Sequence, residues 1–238
     1  MIAYALYLES GPQKKTTMVH VLDLLGCVAT GSTTDEALER TPDAIRAYLG
    51  YLKPHGERAD PKAAFTTRVV EHITEGDFLG HGSSTVMYTP DRVPLTPSAQ
   101  RRYIAWSEWS RGDLLAAVNG LDAKALRAKP RERGRSVEEI LRHVLESDKD
   151  YLYSFLGPVK AVGGPVNDAL RGELDLRVAL ALSGAAAVTR LRALTAEERR
   201  ASRQRGKATR TARRMFRRML EHEWEHRVEL AQRLRRPA

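Results

Sequence analysis

The sequence predicts an α+β module of order β-β-β-α-β followed by an all-α, up-down four-helix bundle. Three observations lead there. Short β-branched and aromatic runs fill the first third of the chain, and apolar residues recur at helical spacing after it. A stretch mixing Gly, Ser and Pro, "GHGSSTVMYTPDRVPLTP" (80–97), lies between the two regimes. The charge changes sign as well. Residues 1–92 hold nine Lys/Arg and twelve Asp/Glu, a net of −3, whereas 93–238 hold thirty and eighteen, a net of +12. The expected division is a module over 1–80, a linker over 81–95 and the bundle over 96–238.

In the first part, "AYALYLE" (3–9) and "TTMVHVL" (16–22) have strand composition, and "SGPQKK" between them is turn chemistry. "GCVATG" (26–31) is a third short strand bounded by glycines. The period then changes. Ala37, Leu38, Ile45, Tyr48, Leu49 and Leu52 recur at helical spacing, and Thr33 with Glu36 fits a capping box. Pro42 falls inside this helix, where it is expected to break or kink it. "TTRVVEHITEG" (66–76) is the fourth strand.

Four long helices are expected in the second part, and no alternating segment. The first runs from about Thr96 to Asn119, opening on Thr-Pro and stopping near Gly120. The second runs from Ser136 to Leu156, with a capping box from Ser136 to Glu139 and a stop at Gly157-Pro158. The third covers about Leu174 to Leu194 and the fourth about Thr209 to Arg235, with room for a short helix near 196–203. One apolar stripe on each argues for a bundle.

Composition excludes several classes. The single cysteine, Cys27, rules out an intramolecular disulfide and a cysteine zinc cluster, so a metal would fall to histidine and carboxylate. No apolar run reaches membrane-spanning length, and the N-terminus reads as a strand rather than a signal peptide. The expected location is the cytoplasm. Cys27 is expected to be a packed small hydrophobe.

The chemistry concentrates in "EHEWEHRVEL" (221–230), which contains His222-Glu223-x-x-His226, the pattern of zinc proteases. Histidines four apart share a helix face. With Met219 at zero and 100° per residue, Met215, Phe216, Leu230 and Leu234 fall between about −40° and +60°. His226 then lies at about −20°, His222 at about −60° and Glu223 at about +40°. Three polar side chains thus project into or beside the core, which is costly without a partner. His143, beside the stripe of the second helix, is the only other histidine on these helices. Three imidazoles with an open fourth position make a catalytic zinc-type site, although the set suits zinc, nickel, iron and copper alike. Glu223 is placed either as a base or second-sphere orienter, or in a salt bridge to an arginine. His20, His55, His72 and His81 are read as incidental. Proteolysis is disfavoured: only twelve residues follow His226, none is a third histidine ligand, and no edge strand is expected nearby.

Residues 96–235 resemble the DinB-like family of metal-binding four-helix bundles. The resemblance rests on "SVEEILRHVLESDKDYL" (136–152) and "EHEWEHRVEL", with Arg227 after the last histidine as in the family. Val228-Glu229 stands where the family often has Gly-Gln, and Glu225 where a further histidine often stands. The resemblance implies metal ligation by His143, His222 and His226, a small-molecule substrate and, in some members, activation of a low-molecular-weight thiol for S-transfer or isomerisation. Residues 1–76 resemble the HicB antitoxin family through "LLGCVATGSTTDEALERTPDAIRAYL" (24–49), with Leu25 in place of the usual proline. That implies a module that binds a partner, regulates or oligomerises. Homodimers fit both families.

The run "RRASRQRGKATRTARRMFRR" (199–218) has ten Lys/Arg and no acid. It suits nucleic acid, an anionic substrate or a solvated face, and its one aromatic residue, Phe216, gives little base stacking. The expectation is therefore a divalent-metal enzyme, a thiol-dependent transferase or hydrolase, with a regulatory N-terminal module. The rival is a non-catalytic binding protein, antitoxin-like or nucleic-acid-associated, with a structural metal.

Overall fold

A computed structural model describes residues 2–11, 16–131 and 133–235. The turn expected at 10–15 lies largely outside them. The N-terminal strands are β1 (Ile2–Ser10), β2 (Thr17–Val21), β3 (Val28–Gly31) and β4 (Phe65–Ile73), with helix α1 (Thr34–Leu52) before β4. They form one sheet in the order β3-β2-β1-β4. β2 is antiparallel to β1 and β3, whereas β4 runs parallel to β1 because the α1 crossover returns the chain to the same end. Helices α2 (Pro97–Val118), α3 (Ala123–Arg127), α4 (Val137–Leu156), α5 (Lys160–Leu170), α6 (Leu176–Arg192), α7 (Ala196–Arg200) and α8 (Ala212–Arg235) follow. The expected β-β-β-α-β order and the helical second part are both present. Two short helices, α3 and α5, were not expected, and a hairpin of β5 (Ser202–Arg205) and β6 (Ala208–Thr211) precedes α8. The hairpin corrects the expectation that the second part has no strand. Its residues, SRQR and ATRT, carry almost no apolar alternation, and Gly206 at φ +58° makes the turn.

The chain packs as two units. One comprises Met1–Pro94 with Ser202–Glu221, the other Leu95–Ala201 with His222–Ala238. Residues 202–221 thus pack with the N-terminal module, unlike the contiguous division at 81–95, and the cut falls inside α8 between Glu221 and His222.

In the first unit α1 starts at Thr33, whose hydroxyl accepts the Glu36 amide at 3.1 Å. It packs on β2 and β3. Ala37, Thr41, Ile45, Tyr48, Leu49 and Leu52 are its buried face. Each large apolar member contributes about 1.5–3 kcal/mol, and the helix runs through Pro42 unbroken. Burial of that face outweighs the hydrogen bond proline cannot donate. Tyr48 donates its hydroxyl proton to the Leu25 carbonyl at 2.7 Å. Gly26, at φ +111°, leaves room for it, since a Cβ there would lie 2.4 Å from the phenol oxygen.

The segment expected as a linker is packed. Val86, Met87, Tyr88 and Asp91 are buried, and the amides of Gly80, Gly82 and Ser83 donate to Glu9 Oε1 at 3.1, 2.6 and 2.9 Å. A buried carboxylate needs such partners, which draws the glycine-rich loop inward. His20, read as incidental, is fully buried, with Nδ1 2.7 Å from Glu221 Oε1. Arg217 pairs with Asp91 at 2.9 Å and Glu221 at 3.2 Å, and Arg218 reaches Glu221 at 2.6 Å. Burial alone would raise the Glu221 carboxyl, but His20, Arg217 and Arg218 together hold it well below the usual carboxylate range. Arg214, Arg217 and Arg218 are 3%, 0% and 2% exposed. The last third of the basic run is therefore an internal ion network rather than a surface. The first part of α8 is buried on nearly every side, not along one stripe.

In the second unit α2 and α4 each pack on α6, with α5 against α4 and α6. Helix α4 opens on the expected capping box: Glu139 takes the Ser136 amide at 2.7 Å and Ser136 takes the Glu139 amide at 3.2 Å. Gly157 stops it, its amide reaching the Tyr153 carbonyl at 3.0 Å.

Candidate metal centre

Helix α4 brings His143, and the C-terminal part of α8 brings His222 and His226, to one place. His143 Nε2 and His222 Nε2 are 3.0 Å apart, and His222 Nε2 and His226 Nε2 also 3.0 Å. The three rings meet nearly edge to face, with centroids 4.3–4.9 Å apart. Three nitrogens at about 2.1 Å from a common tetrahedral centre lie about 3.4 Å from one another. The observed spacing is close to that. The three ligand atoms all lie within 4.8 Å of one another, and the group could hold a metal ion.

The outer contacts fit the same purpose. His226 Nδ1 lies 2.8 Å from Glu229 Oε2. An ionised carboxylate only accepts, so the neutral ring carries its proton on Nδ1 and turns the Nε2 lone pair toward the other two histidines. Arg135 grips Glu229 with a two-pronged fork, Nη2 to Oε2 at 2.7 Å and Nε to Oε1 at 3.2 Å. Burial raises the Glu229 carboxyl, but its bonds to His226 and Arg135 win and hold it low. His143 is half-buried. Burial, with His226 and Arg135 nearby, lowers its pKa and favours the neutral ring that a metal requires. The Tyr151 ring stands edge-on to His222, with centroids 5.5 Å apart.

Glu223 is buried with its carboxylate committed to an arginine. Arg111 Nε on α2 donates to Glu223 Oε1 at 2.7 Å, Nη1 donates to the Leu180 carbonyl at 2.9 Å, and Nη2 bonds Asp148 of α4. Burial penalises the Arg111 charge, yet Asp148 and Glu223 hold it firmly protonated. Two buried carboxylates share one guanidinium, which leaves one excess negative charge. Burial, only partly opposed by Arg111 and reinforced by Asp148, pushes Glu223 up to about 7. Arg227 on the next turn pairs with Asp113 at 3.3 Å and lies 5.3 Å over the Trp224 ring.

The three predicted histidines come together. Arg111, Asp148, Arg135 and Glu229 went unpredicted. Glu229 had a signal, since it stands one turn after His226, and Arg135 sits just before the Ser136 cap. Arg111 and Asp148 signal only as charges on otherwise apolar helix faces.

The DinB superfamily model matches residues 107–230, more than half of the chain, and the chain belongs to that superfamily. No curated protein and no solved structure gives a significant match. The match spans all three histidines and both ion clusters around them. No helix among the described residues is long and apolar enough to cross a membrane.

Proposed function

We propose that this protein is a divalent-metal-dependent enzyme of the DinB type, acting on a small molecule by thiol-dependent S-transfer or hydrolysis. The observation that carries the reading is the convergence of three Nε2 atoms while Glu229 holds the His226 proton on the far nitrogen. His143, His222 and His226 would hold the ion. When bound, it supplies Lewis acidity that lowers the pKa of a thiol or water at the open fourth position. Glu229 fixes the His226 tautomer and Arg135 fixes Glu229. Of the roles open to Glu223, its bond to Arg111 favours holding α8 in register with α2 and α4 over proton transfer. The four long helices α2, α4, α6 and α8 are taken as the up-down bundle, and the N-terminal module as a HicB-like regulatory or dimerising unit in a cytoplasmic protein.

A structural-metal scaffold without turnover is the second reading, favoured by that same commitment of Glu223 to a buried ion pair. Wild type and His143→Ala, each loaded with zinc, nickel or iron, separate the two on a panel of low-molecular-weight thiols with electrophiles and of ester and amide substrates. Turnover lost in His143→Ala supports the enzyme. Stoichiometric metal with no turnover on any substrate supports the scaffold.

A further inference from the structure

A cavity of about 570 Å³ opens between the C-terminal half of α4 and the N-terminal half of α5. That volume is the size of a small-molecule site. Its walls are mostly apolar: Leu152 and Tyr153 from α4, Pro158 and Val159 from the connection, Val162 from α5. Tyr153 is half exposed despite its size. None of the candidate metal-centre residues lines it.

Two lysines supply the charge. Lys149 Nζ donates to Asn167 Oδ1 at 3.3 Å, which keeps the ammonium at the cavity wall. Lys160 is exposed and opens α5, and no carboxylate pairs with it among the described residues. Asp150 also lines the cavity but makes no ion pair with either lysine there. Two ammonium groups against one carboxylate leave the cavity cationic.

Local choices at this place run against helix stability. Helix α5 has no side-chain cap, and it begins with a cation, at the end where the helix dipole disfavours one. Gly163 and Gly164 sit consecutively inside it, where glycine weakens a helix. Neither has a positive φ, and neither is needed for close packing. A Cβ at Gly164 would meet nothing within 4 Å, and one at Gly163 only the Lys149 side chain at 3.9 Å. The bare glycine surface is cavity wall. Departures from local preference that packing does not repay mark functional places, and an anion with an apolar body would answer all of them at once.

We infer that this cavity binds a small organic carboxylate with an apolar body. The carboxylate lies at Lys160 and Lys149, and the hydrocarbon lies along Tyr153, Val162 and the Gly163–Gly164 surface.

Isothermal titration of the full-length protein with octanoate tests this, with 1-octanol as the uncharged probe. Saturable one-to-one octanoate binding is expected. Gly164→Leu fills the cavity with a better helix former, so it should fold, verified by its thermal melt, and lose at least tenfold in octanoate affinity. Lys160→Glu changes an exposed side chain. It should cost about tenfold for octanoate and leave 1-octanol binding unchanged. The His222→Ala, His226→Ala double variant should bind octanoate as wild type does, which separates the cavity from carboxylate capture at the histidines. The inference is overturned by an absence of saturable binding to wild type, by unchanged affinity in Gly164→Leu or Lys160→Glu, or by loss of binding in the double histidine variant. It is also overturned if Gly164→Leu merely converts a dimer to a monomer without moving the octanoate affinity.

Discussion

His226 is held by what lies behind it. Its Nδ1 proton goes to Glu229, which is itself gripped by Arg135. Second contacts of this kind are commonly worth about 10–100-fold in metal affinity. Glu229→Gln is therefore expected to weaken zinc binding by about that factor without unfolding the protein, read by competition with a chromophoric chelator. An unchanged affinity would mean that the Glu229–His226 contact is surface pairing. Cys27 makes the opposite case. It is fully buried, and burial pushes its thiol well above the ordinary range, with Glu221 adding to the effect. The thiolate is the reactive form, so native protein at pH 8 should resist a disulfide reagent for as long as it stays folded and titrate one thiol in denaturant. Fast labelling of the native state would contradict its placement.

At the scale of elements, ion clusters tie the long helices together. Arg111 of α2 holds Asp148 of α4 and Glu223 of α8. Removing one partner of a buried pair strands the others, at about 3–5 kcal/mol. Arg111→Met should destabilise by about that much in denaturant melts, and Arg111→Met with Asp148→Leu and Glu223→Leu should recover a large part of it. Equal losses in the single and triple variants would refute a stranded-charge account. The start of α4 carries a pH signature. Bonds from Lys129 and the Ser136 amide lower the exposed Glu139 carboxyl from 4.5 to about 2. A depressed folded pKa gives stability that is fully present above the unfolded value and lost as pH falls through the folded one. The difference between wild type and Glu139→Gln should therefore shrink as pH drops from 4.5 toward 2, followed by thermal melts across that range. A difference that grows instead would reverse the sign of the shift. Most of these elements were legible because caps and apolar spacing are local: Thr33, Ser136 and Gly157 act where the sequence places them. The β5–β6 hairpin was not, because arginine-rich strands lack the alternation that marks a half-buried strand. Helix α5 carries Gly163, Gly164 and Pro165, which weaken any helical signal in its sequence.

For the whole molecule, the informative departure is the division of the chain. The sequence shows a change of period near residue 80, but packing assigns Ser202–Glu221 to the N-terminal unit. That pairing depends on contacts more than a hundred residues apart, such as His20 with Glu221 and Arg217 with Asp91. No local pattern encodes them, and Arg217 and Arg218 look like surface charges of the basic run until their buried partners Asp91 and Glu221 are seen. Residues 1–94 expressed alone should accordingly fail to melt cooperatively, with His20 and Asp91 left without their partners. A sharp calorimetric transition would show that Ser202–Glu221 is dispensable. The metal centre was more legible. A four-residue histidine spacing on one helix and a histidine on an earlier one suffice to suggest the ligands, and Glu229 stands one turn after His226, whereas the pairing of Arg111 with Asp148 and Glu223 emerges only from the fold. The central claim is that His143, His222 and His226 bind a divalent metal. Elemental analysis of purified wild type beside the His222→Ala, His226→Ala double variant tests it most directly. About one equivalent of metal in wild type and a near-zero content in the variant is the predicted result. Equal, near-zero content in both, after growth and purification with zinc, nickel and iron supplied, would contradict it.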